Sequence, residues 1–281
     1  MPNRDWRLGG SVTYGALTAA RLGIAAAVVT SASSPLLEEL RQALSEQIPL
    51  AAIPANDDTT FENIYTHGSG TRRQYLRARA QPLSLASVPQ PWRSAPMVLL
   101  APLAQEIPPS LASAFPQALV AATPQGWLRQ WSGEGLVSPG PFRAAREILP
   151  HLNTLVLSRE DLLAPPGSRV PAVTEDEAGA QIAEWAQVAP LVVETQGERG
   201  ALLYVNGGAP ESFAGYPAHP IDPTGAGDVF AAAFLIRLHE TGDPRAAVDF
   251  ANRVAALSVE GLGITGIPTR RALHERYPEL A

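Results

Sequence analysis

The chain has 281 residues, 46% of them hydrophobic, and its 21 basic and 27 acidic side chains leave a formal net charge of −6. That is enough apolar material to bury one large core, and with no long basic run it argues against a nucleic-acid partner. No stretch offers about 18 uninterrupted apolar residues for a membrane span. The absence of cysteine removes disulfides, thiolate metal sites and a cysteine nucleophile, and makes the cytoplasm the default expectation.

The leader MPNRDWRL is polar where a signal peptide would carry an apolar block. Short Val-, Leu- and Ala-rich runs then recur at Ile24–Thr30, Met97–Ala101, Ala118–Ala122, Thr154–Leu157 and Leu191–Thr195. Several are continuous instead of alternating, as expected of strands covered on both faces. Between the first two, Ala51–Ala80 mixes Thr, Phe, Tyr and Ile with polar residues around a Gly-Ser-Gly turn. It reads as strands standing apart from the main layers, either a lid over a pocket, with a lid-mediated homodimer compatible, or an ordinary surface hairpin. Proline-rich stretches such as VPQPWRSAP and LLAPPGSRVP mark loop boundaries. Thr174–Gln187 predicts a helix, because Thr174 and Glu177 have the spacing of a capping box. Strands alternating with helices predict an α/β fold: a mostly parallel central sheet flanked by helices, as one domain over 1–281 with the lid inserted at 51–80.

No phosphate-binding G-x-x-x-x-G-K-[ST], dinucleotide G-x-G-x-x-G, H-E-x-x-H or G-x-S-x-G pattern is present. His67, His151, His219, His239 and His274 are scattered without ligand spacing. The chemistry-bearing stretch is IDPTGAGDVFAAAF, Ile221–Phe234. Thr224 is positioned to cap a helix beginning near Asp228, and Gly225, Ala226 and Gly227 leave the backbone bare where that helix has unpaired N–H groups. Such a site accepts an anion, and Asp228 in the first turn can take a proton from an attacking hydroxyl. The apolar run behind it fits a buried helix that holds the amides rigidly. The plainer reading is a tight turn with a cap, Asp228 merely complementing the helix dipole.

The stretch DPTGAGD resembles the second signature of the ribokinase-like carbohydrate kinases, the phosphofructokinase-B family, of the form D-T-x-G-A-G-D. GGSVTYGALTAARLG, Gly9–Gly23, resembles the family's amino-terminal motif. LVVETQGERGALLYV resembles its nucleotide-side strand and hairpin, and FANRVAALSVEGLGITGIPTR its adenine-side helix and loop. The resemblance implies an ATP-dependent kinase acting with Mg2+, and a monovalent cation as a further candidate, on a hydroxyl of a sugar, polyol or nucleoside. It implies Asp228 as the base and the amides of Gly225, Ala226 and Gly227 as the phosphate holders. Thr195, Gly197, Gly200 and Asn252 fall on the nucleotide side, and Gly9, Gly10, Tyr14 and Asn63 on the substrate side. Phosphoryl transfer asks the protein mainly for positioning and charge neutralisation, which agrees.

Two departures stand out. The family's Asn-x-x-Glu motif, which helps order magnesium and phosphate, is SRED here, so Ser158 stands for the Asn and Asp161 for the Glu, with Glu160 beside it; Asp161 and Glu160 are the metal candidates, with solvated loop charges as the alternative. Members also begin with a strand ending in a substrate-binding aspartate, whereas only MPNRDWRL precedes Gly9 and Asp5 is not assigned that role. Either the native chain starts upstream or the strand was lost. The alternatives are a non-catalytic ligand-binding protein on the same fold, and a kinase of a heteroaromatic alcohol whose pocket would draw walls from Tyr14, Phe61 and Tyr65.

Overall fold

The computed structural model describes residues 6–44, 47–65, 72–164 and 173–280. The chain runs through helix α1 (Ser11–Arg21), strand β1 (Val28–Ala32), α2 (Ser34–Leu44), β2 (Leu50–Pro54), β3 (Thr60–Tyr65) and β4 (Arg72–Ala78). It continues through β5 (Met97–Leu100), β6 (Leu119–Ala122), β7 (Arg129–Trp131), β8 (Val137–Pro139), α3 (Ala145–Ile148) and β9 (Thr154–Ser158). The last part comprises α4 (Glu175–Ala186), β10 (Leu191–Thr195), β11 (Ala201–Val205), β12 (Glu211–Phe213), α5 (Ala226–Thr241), α6 (Pro244–Ser258) and α7 (Arg270–Arg276).

The central sheet has the strand order β12-β11-β10-β9-β6-β5. Strands β5, β6, β9 and β10 are parallel, and β11 and β12 run antiparallel at one edge. Thr154–Leu157 of β9 and Val192–Glu194 of β10 are buried throughout, which is why those runs do not alternate. One core gathers Leu17 of α1, Phe230 and Phe234 of α5, and Val248 and Val254 of α6. The other packs Ile182 of α4 with Trp127, Phe142 and Trp185. In it Trp127 stacks on Phe142 at 5.5 Å and Phe142 meets Trp185 edge-on at 5.6 Å, arrangements that aromatic quadrupoles favour. The expected capping box of α4 forms reciprocally between Thr174 and Glu177. Among the described residues no helix is long and apolar enough to cross a membrane.

Two expectations change. The strand expected at Ile24–Thr30 forms at Val28–Ala32 and lies outside the central sheet, paired in parallel, among the described residues, with β2 alone. The segment Ala51–Ala80 is accordingly not one lid: its first residues belong to β2, and the antiparallel hairpin is β3 with β4. The Gly-Ser-Gly turn and His67 lie outside the described residues. A second hairpin, β7 with β8, is stitched onto β4 through a Tyr75–Leu136 bridge and a Leu76 N–H donating to the Gly135 carbonyl at 2.8 Å. Among the described residues, β5 pairs only with β6 and β1 only with β2, and both open edges line one cleft. No described strand precedes α1, and Asp5 lies outside the described residues.

Candidate active site

The cleft, about 3190 Å³, runs past the carboxyl ends of β5, β9 and β10 and under the hairpin. Ligands of open α/β sheets bind at that end of the strands. The amino ends of α1 and α5 meet there. Helix α5 starts at Ala226, two residues earlier than the sequence suggests, and its N-cap is Gly225 in the left-handed region (φ 80°, ψ 0°), with no side-chain cap. Thr224 is therefore not the cap. Its own N–H donates to Asp222 Oδ1 at 3.0 Å, and Asp222 Oδ2 accepts the Gly263 N–H at 3.1 Å, tying the turn to the loop after α6. These bonds hold the Asp222 carboxyl below its ordinary range, with Arg7 at 3.8 Å adding to the effect.

The two glycines of the turn serve different ends. A Cβ on Gly225 would lie 2.3 Å from Tyr14 Cδ1, so the tyrosine ring sits flat against the backbone where only glycine fits. A Cβ on Gly227 would meet nothing within 4 Å, and the same holds for Gly9 and Gly197. Open space in front of three glycines in one cleft is what a ligand approaching bare backbone requires. Among the described residues, the N–H groups of Gly225, Gly227 and Asp228 have no backbone acceptor, while that of Ala226 bonds the Pro223 carbonyl at 3.2 Å. The expected role of the Ala226 amide is thus weakened, because it is already engaged. The remaining donors and the positive end of a 16-residue helix face the cleft.

Asp228 is in the first turn of α5, partly buried at the cleft floor. Burial pushes its carboxyl up to about 6, against a hydrogen bond from the Ser11 side chain and the charge of Arg129, while Asp161 adds to the rise. A carboxylate poised near 6 is ionised at neutral pH and basic enough to accept a proton. Behind it α5 is apolar on all sides, with Val229 to Ile236 buried. A Cβ on Gly15 of α1 would touch the Ala232 methyl at 4.0 Å, so small residues on both helices set their close crossing.

Tyr14, expected on the substrate side, is 3% exposed and acts from beneath the turn. Its phenol is raised by burial and by Asp222 and Asp228. Gly9 and Gly10 line the cleft, Gly10 at φ 90°. Asn63 projects from the hairpin into the same space, its Oδ1 accepting from Gln74 Nε2 at 3.0 Å, which aims its own amide group. The side chain of Tyr65 is outside the described residues.

On the other side, Thr195 and Gly197 line the cleft, with Thr195 Oγ1 donating to the Leu157 carbonyl at 3.3 Å. Gly200 and Asn252 do not. Gly200 (φ 96°) is a packing glycine, since a Cβ would lie 2.1 Å from the Phe213 carbonyl oxygen. Asn252 is 6% exposed, its carboxamide donating to the Ala214 carbonyl at 3.3 Å.

Asp161 and Glu160 stand at the cleft wall. Asp161 Oδ1 accepts from Gln125 Nε2 at 2.9 Å and Oδ2 from the Ser158 N–H at 3.1 Å, a capping box that spends much of its acceptor capacity. Burial raises its carboxyl. Glu160 is exposed to the cleft. Among the described residues no group of three or more His, Cys, Asp or Glu could hold a metal unaided. This donor set fits a hard cation that keeps its waters and leans on phosphate.

Three polar groups here were not singled out in the sequence: Ser11, Arg129 and the Arg159–Glu194 pair. Glu194 is fully buried on β10 and takes a two-pronged contact from Arg159, Nε to Oε1 at 2.7 Å and Nη2 to Oε2 at 3.0 Å. That pair bolts the loop after β9 to the end of β10. Each comes from a chain position with no local pattern of its own.

Fold and site together define an α/β protein of the ribokinase-like type, with a helix amino terminus and an adjoining carboxylate at the mouth of its sheet. Its structure resembles that of a pyrophosphate-dependent kinase in the ribokinase family, with 21% identity, a TM-score of 0.78, and coverage of 96% of this chain and 92% of that one. Residues 128–270, half of the chain, match the pfkB family carbohydrate kinases. The chain belongs to that family. Ribokinase of Bacillus subtilis (strain 168) is 44% identical over 82 residues, 29% of this chain and 28% of that enzyme. Cytidine kinase of Thermococcus kodakarensis is 26% identical over 247 residues, 81% of this chain and 78% of that protein. The ribokinase match thus spans under a third of that relative's length.

Proposed function

We propose that the protein transfers the γ-phosphoryl group of ATP to a hydroxyl of a sugar, polyol or nucleoside. The carrying observation is the pairing of an open helix amino terminus at Gly227 with the Asp228 carboxylate, raised by burial to about 6. In this reading the acceptor lies among Gly9, Gly10, Ser11 and Asn63, and the donor phosphates lie against Gly225, Gly227, Thr195 and Gly197. Asp228 draws the proton from the acceptor hydroxyl as its oxygen attacks, and the amides of Gly225 and Gly227 stabilise charge on the moving phosphoryl group. Glu160 and Asp161 would order Mg2+ through water, and the ion would offset phosphate charge. The reading carries with it a cytoplasmic location and a homodimer through the lid as further proposals.

Pyrophosphate is the second donor reading. It is favoured by the structural relative named as using it and by Asn252, whose carboxamide is engaged away from the cleft. A screen of sugars, polyols, nucleosides and heteroaromatic alcohols against both donors with Mg2+ tests the proposal. Turnover with one acceptor class supports it. Ligand binding without turnover by any pair would establish a non-catalytic binding protein instead.

A further inference from the structure

Arg129 opens β7, the strand whose hairpin is joined to the lid, yet its side chain lies at the cleft. The guanidinium carbon stands 4.7 Å from the centre of the Phe61 ring on β3. Nη1 donates to the Leu103 carbonyl at 3.0 Å, and the Arg129 carbonyl accepts from Gln105 Nε2 at 2.6 Å. These contacts fix the cation to the loop after β5, which belongs to the main body. Its charge also acts on Asp228 and Asp161. One side chain therefore touches the lid, is anchored to the body, and lies within electrostatic reach of the base.

We infer that Arg129 is a positioning residue that latches the lid, through the face of Phe61, over the acceptor side of the Asp228 cleft. Beneath the lid the cleft is lined by Asn63, Gln125 and Ser11 together with the charged Glu62, Arg77 and Asp161, and the ring of Phe61 is covered by the guanidinium. A planar cation on an aromatic face, held by a carbonyl, is a contact that lysine does not reproduce.

The inference rests on the kinase reading for its catalytic consequence but not for its latch, so the test has two arms. In the first, hydrogen exchange of the backbone amides of β3 and β4 is followed in the ligand-free protein. Arg129→Gln and Phe61→Leu each raise exchange by about 3- to 30-fold, the range a cation–π contact spans. The double variant rises by less than the product of the two single effects, because both remove the Arg129–Phe61 contact. Phe61→Tyr, which keeps the ring, restores the protection, and Arg129→Lys does so only in part. Unchanged protection, or effects that multiply in the double variant, would overturn the latch. A matching thermal midpoint for the β5–β10 core excludes general unfolding as the cause. In the second arm, the acceptor KM rises by a similar factor in both single variants while the donor KM holds. Equal rises in both KM values would remove the acceptor-side assignment while leaving the latch to the exchange data. Absence of turnover in the unaltered protein would count against the kinase reading alone.

Discussion

The two ends of the cleft are built on opposite principles. At the α5 end, Gly225 is pinned under Tyr14, the turn is tied down by Asp222, and the helix behind is buried on every side. At the lid end, β3 and β4 are a two-stranded ribbon edged with charge, such as the Arg77–Glu62 pair at 2.6 Å. An isolated ribbon is marginal in water, so its position depends on its anchors. Among them are Asp58, which takes the Ser33 N–H at 2.6 Å and hydroxyl at 2.7 Å, and Arg129. Under the proposed kinase reading, the rigid end is the part preorganised for charge and the ribbon the part that admits an acceptor.

Substitutions at the rigid end should strike turnover, and those at the lid should strike acceptor affinity. The largest effect belongs to Asp228→Asn, which is expected to lower kcat by about 10²- to 10⁴-fold with donor binding retained, as read by steady-state kinetics and calorimetry. The same variant should melt higher than wild type at pH 8. Its folded value of about 6 lies above that of an unfolded aspartate, so wild type loses stability as pH rises from about 4 to 6 and stays penalised above that window. With cleft water screening part of the cost, the gain is about 1 kcal/mol, some 2–4 °C, and it vanishes near pH 4.

Gly225→Ala comes next. It forces a methyl group into the Tyr14 ring at a left-handed φ, and should destabilise the fold by about 2–4 kcal/mol along with a large loss of kcat. Gly227→Ala separates fold from function. The methyl group meets no protein atom and alanine favours a helix by about 1 kcal/mol, so the thermal midpoint should hold or rise while turnover falls about tenfold. A variant with both midpoint and turnover intact would show that no phosphate approaches there. The smallest effect is at the lid, where Asn63→Ala should raise the acceptor KM about 5- to 10-fold at constant donor KM, the worth of one hydrogen bond.

The sequence carried the parallel strands well because burial on both faces leaves a composition that pairing cannot disguise; Thr154–Leu157 and Leu191–Thr195 fall where expected. It misplaced β1, since an apolar run reports burial but not which neighbour supplies the hydrogen bonds, and β5 and β1 turn open edges to one cleft. The glycine turn was legible, yet Thr224 was miscast because the left-handed Gly225 takes the cap position and leaves the threonine outside it. Gly200 shows the limit of reading glycines as ligand contacts: its freedom serves the passing Phe213 carbonyl. Ser11 and Arg129 were missed because their significance exists only where α1, β7 and α5 converge.

The central claim is that Asp228 is the base and that burial sets its proton affinity. The most direct measurement is the pH dependence of kcat/KM for the best acceptor between pH 4.5 and 8.5, at saturating donor. The account predicts a plateau at and above neutrality and a fall of about tenfold per pH unit below a midpoint near 6. A profile that stays flat down to pH 4.5 would contradict it.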